Sequence, residues 1–257
     1  MSRTHKDSIQ DDEARKQTIA DQRSTFETEI EKRVQYAPSP TEKAFIPKHI
    51  SFCQAQKLTA LFEQYFDVDR DGFLTEHDIE ALNEKIFKFT KWDRKAEKSV
   101  RMIDCHKDLF ACLLVEANRD VVLDENKLAK ISLNAWMQLW DHMLYKSLTL
   151  AHLPQWIQVL PLNLFNFIDK DGEKKITKKD LLEFYKDFMG LKPGVAEAVR
   201  DRAHNEMTGN GDYPLDLDLY TTAFSNFLFG KSFYGPGKYI LGTFEQCTQP
   251  QSFKIEY

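Results

Sequence analysis

The stretch Asp67 to Asp78, DVDRDGFLTEHD, constrains this chain more than any other. Acidic side chains stand at its first, third, fifth and twelfth positions: Asp67, Asp69, Asp71 and Asp78. Calcium takes six to eight oxygens at about 2.3–2.6 Å, and a 12-residue loop between two helices supplies them from positions 1, 3, 5, 7, 9 and 12. The backbone carbonyl of Phe73 falls at position 7, and Thr75 at position 9 can hold a ligand water. Gly72 at position 6 stands where the backbone turns through a conformation costly for other residues. Leu58, Leu61, Phe62, Tyr65 and Phe66 form a helical apolar stripe before the loop, and Ile79, Leu82 and Ile86 form another after it. Five acids (the four ligands and Glu76) face one Arg70, a net charge of −4. The twelfth residue is unusual. Glutamate there reaches the ion with both oxygens, whereas Asp78 is one methylene shorter. One oxygen instead of two favours the octahedral preference of Mg²⁺ and weakens selectivity for Ca²⁺.

The loop's eighth residue, Leu74, is followed five positions later by Ile79, and the same spacing recurs three more times. The pairs are Ile131 and Trp136, Ile176 and Leu181, and Leu215 and Tyr220. Four such units are four EF-hands, in which position 8 forms a short β-bridge to a neighbouring loop and the second residue begins the exiting helix. Further apolar helical stripes run through Val100, Ile103, Phe110 and Leu114, and through Phe184, Tyr185 and Phe188. No run of alternating strand residues and no βαβ unit is present. The expected fold is all-α, four EF-hands in two lobes with an N-terminal extension, helical or disordered. The expected divisions are 1–46, 47–147 and 148–257.

The third loop, Asp169 to Asp180 (DKDGEKKITKKD), places Asp169, Asp171 and Glu173 at positions 1, 3 and 5, the Lys175 carbonyl at 7 and Asp180 at 12. Position 6 is Lys174, which predicts a strained turn costing about 1 kcal/mol. Four acids face five lysines, a net of +1, so weaker binding than in the first loop is expected. The second loop counts back from Ile131 to Ala135 at position 12 and Leu128 at position 5, with extra residues around Asp120 to Lys130. The fourth counts to Thr208, Asn210 and Asp212 at its first ligand positions, with Tyr213 at 6 and Leu219 at 12. Lacking the twelfth carboxylate, both are expected to serve as packing partners.

The chain has 257 residues, enough for two lobes and a tail, and its 42 % apolar content, with 19 phenylalanines, supports a sizeable core. A net charge of −5 argues against a nucleic-acid surface. Four cysteines, none spaced CxxC, read as reduced thiols in the cytosol. The N-terminus has no apolar core of a secretory signal, and the longest apolar run, Leu109 to Val115, is far short of a membrane span. Residues 1–36 hold 15 charged side chains, eight acidic and seven basic, with Ile19, Phe26, Ile30 and Val34 at helical spacing. This segment is a solvated tail or, over residues 8–36, one that orders on a protein partner. Ala37 to Pro47, with three prolines, is a linker. The DxDG in the first loop also occurs in haloacid-dehalogenase-type phosphatases, but that motif follows a buried parallel strand. The seven histidines form no HExxH, no phosphate-cradling glycine loop is present, and no catalytic constellation emerges.

With the loops placed, three features carry a resemblance to the calexcitin and invertebrate sarcoplasmic calcium-binding protein family, over about Ser51 to Phe244. The first loop follows Tyr65-Phe66 and ends in Asp. The second leads into AWMQLWDHM (Ala135 to Met143). The closing YGPGKYILG (Tyr234 to Gly242) resembles the family's C-terminal segment, which packs back on the body. The resemblance implies a compact two-lobed α fold with calcium or magnesium in up to three loops, in a buffering or signalling role. The residue reading and the resemblance together predict a cytosolic cation-binding protein, not an enzyme, using loops 1 and 3. The alternative is an adaptor whose residues 8–36 dock on a cytoskeletal or axonemal surface.

Overall fold

The structure, a computed structural model, describes residues 45–117, 121–123 and 129–242, with side chains throughout except at 121–123. The N-terminal extension, with the expected docking segment 8–36, and residues 243–257 lie outside the described residues.

The first hand opens and closes where its apolar stripes lie. Ser51 caps helix α1 (Phe52–Ala60) in a reciprocal box with Gln54. The helix then widens over Leu61–Phe66, where the Asp67 N–H reaches back five residues to the Phe62 carbonyl at 2.8 Å. Loop 1 follows, with strand β1 (Phe73–Leu74), then α2 (Glu76–Thr90). The second hand is α3 (Glu97–Ala117), strands β2 (Val121–Leu123) and β3 (Ala129–Ser132), and α4 (Leu133–Lys146). The third enters through α5 (Gln155–Gln158) and α6 (Leu160–Ile168) and leaves through α7 (Lys178–Glu183). The fourth pairs α8 (Pro193–Thr208) with α9 (Leu217–Phe229).

The position-8 residues meet as their spacing requires. Leu74 stands opposite Ile131 in an antiparallel pair. The Ile176 N–H donates to the Leu215 carbonyl at 2.8 Å. Leu74, Ile131, Ile176 and Leu215 are all buried.

One element departs from the helical expectation. β2 and β3 pair antiparallel, Val121 opposite Ile131 and Leu123 opposite Ala129, giving a small sheet in the order β1-β3-β2. Val121–Leu123 therefore adds a third strand to the inter-loop bridge. Its apolar residues are too few to show an alternating pattern in sequence.

The core is a run of aromatic contacts. Trp136 meets Phe62 and Phe66 at 5.7 and 5.6 Å between ring centroids, Trp140 at 5.6 Å, and Trp140 meets Trp156 at 6.1 Å. Tyr65 stacks on Phe167 at 6.5 Å, joining the first hand to the third. The Trp136 indole donates to the Leu58 carbonyl at 3.0 Å. The YGPGKYILG segment does pack back on the body. A Cβ on Gly237 would lie 2.2 Å from the Phe227 nitrogen, so only glycine allows this approach to α9. Tyr239, Ile240 and Leu241 are buried, and the Tyr185 hydroxyl donates to the Tyr239 carbonyl at 2.7 Å.

Candidate metal centre

Loop 1 is folded by its own carboxylates. Asp67, 4 % exposed, accepts the Asp71 N–H at 3.2 Å on Oδ1 and the Gly72 N–H at 3.1 Å on Oδ2. Asp69 accepts the same Asp71 N–H at 3.1 Å, and Asp71 accepts from Phe73 at 2.8 Å. These local turns bring a carboxylate oxygen of each of Asp67, Asp69 and Asp71 within 4.8 Å of the others. Among the described residues no other group of three potential ligands converges in this way.

Three anions this close repel one another. Burial pushes the Asp67 carboxyl up to about 6, with the charges of Asp78 and Asp71 adding to it against the N–H groups of Gly72 and Arg70. Asp71 is also raised, by burial and then by Asp69 and Asp78. A divalent cation would supply the missing positive charge, and hard oxygen donors on a tight loop fit calcium or magnesium.

Asp78 is fully buried and lies beside the group of three rather than in it. Its Oδ2 accepts the Thr75 N–H at 2.9 Å and the Thr75 hydroxyl at 2.7 Å. Its Oδ1 accepts the Val68 N–H at 3.0 Å and the Asp69 N–H at 3.4 Å. The twelfth residue thus ties the start of the loop to the start of α2. Phe73 sits in β1, with the Lys130 ammonium 4.0 Å from its ring centroid.

Loop 3 repeats part of this pattern. Asp169 accepts the Glu173 N–H at 3.0 Å and the Lys174 N–H at 2.9 Å, as Asp67 accepts from Asp71 and Gly72. Its carboxyl is raised, first by burial and then by the neighbouring Asp171. Asp180 closes the turn onto Thr177. Glu173 turns aside, however, 3.5 Å from the Lys175 ammonium. The three acids of positions 1, 3 and 5 do not converge.

Lys174 is left-handed as predicted, with φ 62°, but loop 1 carries the same kind of residue. Arg70 at position 4 has φ 64° and Gly72 φ 86°, while loop 3 has Gly172 at position 4 with φ 79°. Each loop therefore needs two left-handed residues and supplies one glycine, at opposite positions. Backbone strain does not distinguish them; charge does.

A fourfold feature was missed by ligand spacing alone. The ninth residue of every loop, Thr75, Ser132, Thr177 and Asp216, caps its exiting helix by accepting from the N–H three residues on. In loops 1 and 3 the Asp at position 12 completes the box. Ala135 and Leu219 stand there in loops 2 and 4, so those hands keep the cap and lose the acid. The signal was present, since Thr-x-x-Asp occurs in both intact loops. In loop 4, Thr208 instead binds back to the His204 carbonyl and accepts from Gly211 at 2.9 Å.

No family model matches the chain. It is 25 % identical over 169 residues to the sarcoplasmic calcium-binding proteins II, V, VI and VII of Branchiostoma lanceolatum, covering 65 % of this chain and 84 % of theirs. Among solved structures, a sarcoplasmic calcium-binding protein from amphioxus superposes with a TM-score of 0.60 at 21 % identity, over 76 % of this chain and 98 % of that one. The coelenterazine-binding protein of Renilla muelleri, in its calcium-loaded apo form, gives 0.50 at 19 % identity, over 74 % and 94 %.

Proposed function

We propose that this chain, a relative of the sarcoplasmic calcium-binding proteins with their EF-hand fold, binds Ca²⁺ or Mg²⁺ at loop 1 and acts as a cation buffer. The convergence of Asp67, Asp69 and Asp71 carries the reading. These three side chains, the Phe73 carbonyl and Asp78 are the ligands assigned to loop 1. Loop 3 is a second, weaker site, using Asp169, Asp171, Glu173, the Lys175 carbonyl and Asp180. No catalytic role is proposed.

Buffering is favoured over switching by the contacts between the first and last hands. Gln54 Nε2 donates to the Leu228 carbonyl at 3.0 Å, and the Lys57 ammonium donates to the carbonyls of Asn226 and Gly230 at 3.2 and 2.7 Å. Burial lowers the Lys57 pKa to about 8, and its carbonyl partners sit at the negative end of α9. The glycine-dependent closing segment covers the same helix. A hand that opens on binding must break these bonds, each left unmade in a buried setting.

Isothermal titration of the metal-free full chain tests the reading. One cation is expected to bind below millimolar concentration at loop 1, and Asp67→Asn with Asp71→Asn should abolish that event. Absence of binding of both cations below millimolar concentration would refute it. Helix content and apolar-dye binding that stay unchanged across the titration are the expected signature of a buffer. Exposure of an apolar groove on Ca²⁺ addition would favour signalling.

A further inference from the structure

The segment Lys88 to Arg101 runs from the last turn of α2 through a short connection into α3. It holds six basic residues, Lys88, Lys91, Arg94, Lys95, Lys98 and Arg101, against two acids, Asp93 and Glu97. That is a local charge of +4 in a chain whose net charge is −5, so the remainder carries −9. All six basic side chains are exposed. A charge run of this kind is most often a solvated face, and its number alone assigns nothing. Two further observations point outward.

The connection is fixed in place. Lys91 ends α2 in the left-handed region, φ 60°, and its N–H donates to the Phe87 carbonyl at 3.0 Å. The Trp92 N–H donates to Thr90 Oγ1 at 3.2 Å, and the Lys95 N–H to Asp93 Oδ1 at 3.0 Å. The Ser99 hydroxyl donates to the Asp93 carbonyl at 2.7 Å. Asp93 is thus engaged by the local backbone, which holds the lysines around it in a set order.

The arginines and lysines also differ in their partners. Arg94 pairs with Glu84 and stacks 5.0 Å from the Phe87 ring centroid, and Arg101 pairs with Glu97. Lys88, Lys91, Lys95 and Lys98 have no ion pair among the described residues. The guanidinium forks that grip a single carboxylate or phosphate are therefore occupied, and the four unpaired cations are ammonium point charges, which suit a diffuse negative layer. Val100, 44 % exposed, adds an apolar side chain between Lys98 and Arg101.

We propose that this turn docks on the headgroup layer of an anionic membrane, lying on the surface without crossing it. Four ammonium groups spread over one connection meet such a layer together, each adding about five-fold to the affinity. An acidic peptide would need a groove or an open backbone edge to lie along, whereas the N–H groups of Lys91, Trp92 and Lys95 already have acceptors. The net negative remainder of the chain is repelled by the same layer, so contact is confined to this face. The surface is separate from loop 1 and does not rest on cation binding there.

The test is co-sedimentation of the full chain, in a metal chelator at low ionic strength, with vesicles of equal parts phosphatidylserine and phosphatidylcholine. Binding is expected to these vesicles and not to phosphatidylcholine alone, and it should weaken as salt rises to about 0.15 M. Lys91→Gln combined with Lys95→Gln should lower the partition about 25-fold, roughly five-fold for each charge removed. Lys91→Arg combined with Lys95→Arg should keep it, and circular dichroism checks that both variants fold. No binding to the anionic vesicles, undiminished binding of the folded glutamine variant, or an equal loss in the arginine variant overturns the proposal. Capture by soluble poly-glutamate without capture by vesicles would make an acidic peptide the partner, and overturns it too.

Discussion

Arg70 and Lys174 hold the same left-handed backbone in two loops whose glycines sit at different positions. A residue with a Cβ pays about 1 kcal/mol for that conformation, partly offset by the greater unfolded-state entropy of a glycine replacement. Arg70→Gly and Lys174→Gly should each stabilise the metal-free protein by up to about 0.5 kcal/mol in urea unfolding; loss of stability in both would show that their side chains matter more than their φ angles. Asp78 presents a different balance. Its carboxylate already serves as half of a capping box and as an acceptor for Val68. Glutamate can also close a capping box, and its extra methylene offers a second oxygen to the ion. Asp78→Glu is expected to raise Ca²⁺ affinity on the order of ten-fold and to raise selectivity over Mg²⁺, read by competitive titration. Equal selectivity in variant and parent would mean that Asp78 is not limiting at the site.

At the scale of elements, the caps set the exiting helices and hence the loops. Thr75 both caps α2 and binds Asp78, whereas Ser132 caps α4 opposite an alanine. Ser132→Ala should cost about 1 kcal/mol, the usual loss of a cap. Thr75→Ala should cost as much and also weaken cation binding, because Asp78 loses its anchor; unchanged affinity would separate the cap from the site. Packing of α2 on α3 contains a pH-sensitive group. His106 is buried on α3, its Nδ1 2.6 Å from Asn83 Oδ1 on α2, and burial lowers its pKa to about 4. The unfolded chain takes up a proton below about pH 6.5 while the folded one stays neutral, so stability is complete above that value and falls as pH drops toward 4. Between pH 7 and 5 the loss from this residue is about 2 kcal/mol. His106→Gln should flatten the pH dependence of denaturant unfolding by that amount, and an identical slope in both proteins would refute the assignment.

For the whole molecule, the closing segment and α1 both grip α9. Gly237→Ala would force a Cβ to 2.2 Å from the Phe227 nitrogen, a backbone clash that no rotamer relieves. It should destabilise by on the order of 3 kcal/mol in thermal or urea unfolding, the range of an overpacked core site, and wild-type stability would mean that the segment can stand off. The ligand spacing of loops 1 and 3, the position-8 pairs and the helical stripes were legible in sequence, because each depends on residues within a dozen positions and on fixed periodicities. So was the loss of the twelfth acid at Ala135 and Leu219. What the tertiary structure alone decided are matters of distant contact. In loop 2, Val121–Leu123 pairs with β3, which in turn pairs with loop 1's strand, and Lys57, an ordinary surface residue by pattern, is buried on carbonyls some 170 residues away. Loop 1 and loop 3 differ locally instead: both sequences spell acids at positions 1, 3 and 5, but only in loop 1 do those acids converge, while Glu173 lies 3.5 Å from Lys175, two residues on.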